Sequence, residues 1–264
     1  DYYEIYVDIG GFINLDYILV IILGLVIGSF LNVCIYRIPR EESISYPPSH
    51  CGNCGHNLHP VDLIPIISYV FLKGKCRYCK EKISIRYPMI EGLNCILYLV
   101  IYMKYGFMIY TVEFCILISL LIVISMIDYN TQEVYTSTTV FGAIVGVIFI
   151  LINKFVYGQE VMNLLMGGVT GAAIIGAIVY LTKGMGEGDI EIAGVCGLFI
   201  GVKQIILALF LAIMLGGAVG IIVILLNLKN IKDKIAFGPF IAIGTLIAIL
   251  YGNALISWYF NLLV

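Results

Sequence analysis

Charge is scarce in this chain: Asp, Glu, Lys and Arg make up only 12% of its 264 residues, and the formal net charge is −2. The fifteen basic residues are grouped, which points to orientation in a membrane more than to affinity for nucleic acid, and no nucleic-acid partner is expected. Also missing are the Gly-rich strand-to-helix signature of a soluble nucleotide-binding fold, any internal repeat and any low-complexity tract. No cleavable signal peptide is evident, and residues 1–16, an acidic segment, are assigned no fold. What fills the chain is apolar: 61% of residues are hydrophobic. Uncharged runs of about twenty residues match the roughly 30 Å hydrocarbon layer of a bilayer. This excludes a single soluble core and predicts an all-α polytopic membrane protein surrounded by lipid.

The clearest spans are 17–36, 87–103, 107–127, 134–153, 161–182, 205–228 and 235–262. Residues 190–201 form a short apolar piece, about 18 Å long as a helix. It reads as a short tilted helix, a re-entrant segment or the start of a longer broken helix, and counting it gives about eight transmembrane helices. The longest polar stretch, 37–86, holds eight of the fifteen Lys and Arg residues, so the positive-inside rule places it in the cytoplasm. Eight crossings put Lys183, Lys229, Lys232 and Lys234 on the same side, leaving only Lys104, Lys154 and Lys203 outside. The expected division is a first transmembrane helix at 17–36, a cytoplasmic loop domain at 37–86 and a membrane domain at 87–264.

Four of the eight cysteines stand in that loop as Cys51-Gly-Asn-Cys54 and Cys76-Arg-Tyr-Cys79. A reducing compartment disfavours disulfides, whereas two CxxC turns place four thiolates at the corners of a tetrahedron, the geometry of a structural zinc site. Two unrelated thiol pairs or a redox dithiol are the alternatives. His50, His56 and His59 lie close enough in sequence to replace a ligand. The remaining Cys34, Cys95, Cys115 and Cys196 fall in apolar runs and read as small buried hydrophobes.

Carboxylates in apolar spans are costly and need a reason. Glu91, Asp128, Asp189 and Glu191 are the candidates. Asp128 closes the run "LLIVISMID", and Asp189 opens "DIEIAGVCGLFIG" behind Gly184, Gly186 and Gly188. By the topology above, both stand at the cytoplasmic edge of the membrane. Two carboxyl groups that share one proton make an acid and base pair, able to polarise a water for attack on a peptide carbonyl and to protonate the leaving amine, with neither serine nor metal. The glycines are expected to give the backbone conformations closed to other residues and to let an extended substrate lie beside Asp189. The competing readings are helix-end caps, with Asp189 as an N-cap, or acids that line a transport path.

Together these motifs resemble the bifunctional type IV prepilin peptidases, a family of bacterial GxGD-type membrane aspartyl proteases. The segments that carry the resemblance are "GSFLNVCIYRIPR" at 28–40, "CGNCGHNLHPVDLIPIISYVFLKGKCRYCKEKISIRYPMIEGLN" at 51–94, "DYNTQ" from Asp128, "GMGEGD" to Asp189 and "AFGPFIAIGTLIAILYG" at 236–252. The resemblance implies that Asp128 and Asp189 are the catalytic pair, with no metal between them. It implies substrates that are type IV prepilins or pseudopilins, whose basic leader is cut on the cytoplasmic side of the bacterial plasma membrane. It further implies methylation of the new N-terminal amine by S-adenosylmethionine. For that half, the buried acid Glu91 is the cofactor-binding candidate, with pairing to Arg37 or Arg86 as the alternative. Asn32 reads as an interhelical hydrogen bond. Two positions depart from the family pattern: Val134-Tyr135-Thr136 replaces an Ile-Pro-Asp or Ile-Pro-Asn triplet, and Glu191 replaces a lysine. A solute carrier and a protease cutting within transmembrane helices are the rival functions.

Overall fold

In the computed structural model, residues 15–158, 161–182, 184–226 and 235–263 are described. The expected acidic segment therefore lies almost wholly outside them, as do Lys183, Lys229, Lys232 and Lys234, the cations expected on the cytoplasmic side. The described residues contain helices and turns, with no strand beyond two isolated bridges. The chain divides into two compact units, residues 1–115 and 116–264, the boundary falling inside a helix.

In the first unit, helix α1 (Leu15–Arg37) packs along α3 (Arg86–Tyr105). The sequence reason is Gly24-x-x-x-Gly28: a Cβ at Gly24 would stand 2.7 Å from the Cys95 Cα, and one at Gly28 2.8 Å from the Glu91 Cα. Small residues at that spacing let two membrane helices approach to backbone contact, where dispersion and polar bonds replace the absent hydrophobic drive. Asn94 then donates to the Gly24 carbonyl at 2.8 Å, and Asn32 donates to the Tyr87 carbonyl at 3.2 Å. Asn32 is thus an interhelical bond, as its place in an apolar span suggested. Between these helices runs a lobe with one short helix, α2 (Ile67–Phe71), and two 3-10 turns, Ile38–Arg40 and Pro60–Leu63.

Helix α4 (Ile109–Thr131) leads into the second unit, which continues with α5 (Thr136–Tyr157), α6 (Val161–Thr182), α7 (Gly188–Leu225) and α8 (Gly238–Leu263). Its tightest seam joins α6 to α7: a Cβ on Gly167 or Gly171 would strike the backbone of Gly197 or Ala193. Gly244 brings α8 equally close to the backbone of α7 at Ala208.

The short piece 190–201 and the span 205–228 join into α7, 38 residues long and broken at Gly201, whose φ of 75° and ψ of 178° are not helical. Of the three sequence readings, the broken helix is the one observed. Only glycine adopts such a backbone readily. The break is sheltered by α6: Asn163 accepts the Val202 N–H at 3.4 Å and fills the space where a Cβ on Gly201 would sit. The side chain thus takes up an amide that the break in the helix leaves without its usual carbonyl.

Six helices among the described residues are long and apolar enough to span a bilayer, which makes this a multi-pass membrane protein. α3 is not one of the six; it carries Arg86, Glu91 and Lys104. The expected eight crossings require counting α3 and dividing α7 at Gly201.

Candidate active site and metal centre

The four loop cysteines come together. Their sulfurs all lie within 4.8 Å of one another, and Cys51 Sγ is 3.8 Å from Cys79 Sγ. A tetrahedron with zinc–sulfur bonds of about 2.3 Å has edges of about 3.8 Å, so the cage fits that ion. The two turns repeat one construction. The Gly55 N–H donates to the Cys51 carbonyl and the Cys51 N–H to the His56 carbonyl, while Lys80 and Cys76 make the matching bonds, the second to the Glu81 carbonyl. Both turns end in the left-handed region, Gly55 at φ 69° and Lys80 at φ 62°. The amides of Cys54 and Asn53 point at Cys51 and hold its thiol down to about 6. Around Cys54 the His56 amide acts in the same sense, but desolvation and the neighbouring Cys51 and Cys79 thiols outweigh it and push that thiol up to about 11. Four sulfurs so close cannot all ionise without a cation among them.

No histidine joins this cluster among the described residues. His56 instead stacks on Tyr78, ring centroids 3.7 Å apart, and His59 opens the turn at Pro60. Asp62 clamps the two halves of the lobe, accepting from Arg77 Nε at 2.6 Å and from the Tyr78 hydroxyl at 3.3 Å. Cys34, Cys95, Cys115 and Cys196 are buried, as read from their apolar runs.

In the second unit, Asp128 at the end of α4 and Asp189 at the start of α7 are both buried, and their carboxyl groups interact electrostatically. Each is held by one backbone amide. Asp128 Oδ2 accepts the Gly238 N–H at 2.8 Å, and Asp189 Oδ2 accepts the Gly186 N–H at 3.1 Å. Asp189 does not cap α7: the cap position is Glu187, and Asp189 lies inside the first turn with its side chain directed back to the glycine loop. The glycines need a correction too. None of Gly184, Gly186 and Gly188 adopts positive φ. Gly188 is required for room: a Cβ there would run into the side chain of Val134. Gly238 is crowded in the same way, since a Cβ on it would stand 2.8 Å from Asp128 Oδ2 and 3.4 Å from Ile192.

Gly238 is the residue that sequence reasoning missed. The signal was present in the Gly-Pro that opens α8, because proline is favoured in a first helical turn and leaves the N–H before it free to bind an anion. Its partner Asp128 lies 110 residues away, beyond the reach of any spacing argument. Thr139 was missed as well; its hydroxyl donates to Glu191, tying the departing residue to α5. In the first unit Glu91 Oε2 accepts the Ile66 N–H at 2.7 Å, with the Ser29 hydroxyl also bonded to it. Arg37, the proposed ion-pair partner, turns instead to the carbonyls of Ser43 and Pro47.

Residues 115–221, which include the glycine loop and both aspartates, match the model of the type IV leader peptidase family. This chain belongs to that family. Residues 22–105 match the bacterial peptidase A24 N-terminal domain, whose bounds take in α1 from residue 22 onward, the cysteine lobe and α3. Among similar proteins, a prepilin leader peptidase/N-methyltransferase of Bacillus subtilis strain 168 is 31% identical over 91% of this chain and 96% of its own length. Proteins of the same name from Pseudomonas putida and Aeromonas hydrophila are each 30% identical, over 92% and 91% of this chain and 93% and 92% of theirs. No solved structure matches.

Proposed function

We propose that this protein removes the leader from type IV prepilins or pseudopilins with Asp128 and Asp189, and then methylates the N-terminus it exposes. The peptidase and N-methyltransferase activities follow from the family and its relatives. The residue roles rest on one observation above others: two buried, interacting carboxyl groups, each with one oxygen held by a glycine amide. An oxygen fixed in this way leaves the remainder of each carboxyl group for a water or a peptide. One carboxylate takes a proton from water as the oxygen adds to the scissile carbonyl; the other carboxyl gives its proton to the departing nitrogen as the C–N bond breaks. No other nucleophile is needed.

Zinc in the Cys51, Cys54, Cys76 and Cys79 cage is structural, since protein sulfurs fill all four positions and none is left for a substrate. S-adenosylmethionine supplies the methyl group, with Glu91 as its contact. The site faces the cytoplasm of the bacterial plasma membrane, the side expected of the cation-rich 37–86 loop. The rival readings, a solute carrier or a protease cutting mid-helix, are not favoured by a chain matched over nine-tenths of its length to prepilin leader peptidases. Mass spectrometry of a co-expressed prepilin tests both activities in one spectrum: leader loss and an added methyl group are expected, and an intact precursor overturns the reading.

A further inference from the structure

The lobe between α1 and α3 carries one apolar stretch that its own fold leaves uncovered. Residues 63–72, Leu-Ile-Pro-Ile-Ile-Ser-Tyr-Val-Phe-Leu, contain no charge. Ten residues are too few to cross a bilayer, and an apolar run of that length belongs either in a core or in an interface. A core is excluded here, because Leu63, Ile64, Ile67, Val70 and Phe71 are all exposed, Phe71 to 82%. The faces of α2 are the reverse of those of a helix in water. Ile67, Val70 and Phe71, at spacings i, i+3 and i+4, share the outward face. Ser68 and Tyr69 turn inward: with Leu72 and Glu91 they line a cavity of about 360 Å³, and the Tyr69 hydroxyl donates to the Ile83 carbonyl at 3.4 Å. A helix that hides its hydroxyls and shows its aliphatic and aromatic side chains has an apolar medium outside it.

The depth of this stretch is set by one bond. The Ile66 N–H donates to Glu91 Oε2 at 2.7 Å, and a Cβ on Gly92 would meet Ile66 Cδ1 at 3.7 Å, so the stretch lies against α3 at the level of residues 91 and 92. Ile66 takes φ 58°, which a β-branched residue seldom adopts, and that turn delivers the chain into α2. Glu91 stands about 8 Å along the axis of α3 from its start at Arg86, at 1.5 Å per residue. Across the seam it faces Gly28, which by the same rise is about 14 Å along α1 from its end at Arg37. Interfacial helices sink their apolar face roughly 5–10 Å below the headgroups, which is the depth that the arginine ends imply for α2. Both helices also expose apolar side chains here, Val26 and Phe30 on α1 and Met89 and Leu93 on α3. Directly after the stretch the chain turns cationic: Lys73, Lys75, Arg77, Lys80 and Lys82 are exposed, against the single acid Glu81. Cations beside an apolar face are the pattern that anionic headgroups select. We propose that residues 63–72 are a re-entrant ledge seated in the acyl-chain edge of one leaflet, with Lys73, Lys75 and Lys82 at the level of anionic phospholipid headgroups. The cysteine lobe is then held to the bilayer by lipid as well as by its two helices. This seating requires neither catalytic activity.

The chain has one tryptophan, Trp258, so in a Trp258→Phe background a new indole reports alone. Phe71→Trp is placed in that background and, as a reference exposed beside the first cysteine turn, Asn57→Trp is placed separately. Each full chain is reconstituted into vesicles of phosphatidylcholine and phosphatidylglycerol whose acyl chains carry bromine at a chosen depth, with helical circular dichroism as the check on folding. Phe71→Trp is expected to emit at short wavelength and to be quenched at least about twofold, most strongly by bromine near the headgroup end of the chain. Asn57→Trp is expected to emit as in water, with little quenching. Water-like emission from Phe71→Trp, or quenching no greater than that of Asn57→Trp, overturns the proposal. Short-wavelength emission without quenching means that a second copy or another protein surface covers α2, which overturns it as well. Strongest quenching by bromine at the chain ends refutes the interfacial depth. Brominated phosphatidylglycerol is expected to quench Phe71→Trp more than brominated phosphatidylcholine, and equal quenching by the two refutes the anionic preference.

Discussion

The cysteine lobe and the helical second unit hold their functional groups by different physics. In residues 41–85 only Gly74 and Cys76 are buried, and apolar residues such as Val61, Val70 and Phe71 are exposed. A lobe with so little core has few means of ordering itself, and structural zinc supplies on the order of 10–16 kcal/mol to small cysteine domains. The second unit is ordered by packing. Its glycine seams bring backbones together, and the two carboxyl groups are fixed by amides of the same backbone. A cage of four sulfurs brings together what packing does not, whereas close packing lets single glycine amides serve as ligands for side chains.

That contrast is open to direct attack. The largest effect is expected from Asp128→Ala or Asp189→Ala, each lowering prepilin cleavage by at least about 10³-fold. Zinc content by metal analysis stays at about one per chain, because the cage contains no aspartate. Full cleavage by either variant sinks the dyad. Cys51→Ser or Cys76→Ser does the converse: zinc falls to a small fraction of its wild-type content, and limited proteolysis between residues 41 and 85 accelerates. A lobe that remains as resistant as wild type shows that something other than metal orders it.

Crowding in the second unit gives intermediate effects. Gly238→Ala sets a methyl 2.8 Å from Asp128 Oδ2 and is expected to cost roughly 10- to 100-fold in cleavage. Gly188→Ala runs into Val134, so Val134→Gly in the same chain is expected to restore much of the loss; a double variant no better than Gly188→Ala refutes the steric account. The smallest change comes from Thr139→Val, which removes the hydroxyl that donates to Glu191. Cleavage measured across several prepilins is expected to move by roughly threefold or less, since this tie lies beside the pair and leaves both amide bonds to the aspartates in place.

The spacing of Cys51, Cys54, Cys76 and Cys79 was legible because a CxxC turn is a local structure, and two such turns need only meet once. Asp128 and Asp189 were legible as anomalies, charges at the edges of apolar runs. The role of the glycines was misread: sequence supports conformational freedom for any glycine, and only the position of Val134 reveals that Gly188 is short of room. α7 was counted as two spans, with a longer broken helix as one of three readings, because hydropathy records the polar pair Lys203 and Gln204 but not the helical continuity around it. Arg37 as a partner for Glu91 failed for a similar reason, since nothing local announces the carbonyls that take its guanidinium.

By itself the sequence determined the solvent, the helical class, the thiol spacing and which acids stand at the edges of apolar runs, because hydropathy, short spacing and side-chain chemistry are properties of neighbouring residues. Tertiary structure alone decided that aspartates 61 positions apart interact, that a glycine 110 positions from Asp128 supplies its hydrogen bond, and that Glu91 opens into a cavity beside the cysteines. Those meetings depend on which helix faces pack together, and backbone approach at a glycine seam is a property of the pair of helices, encoded in neither one alone.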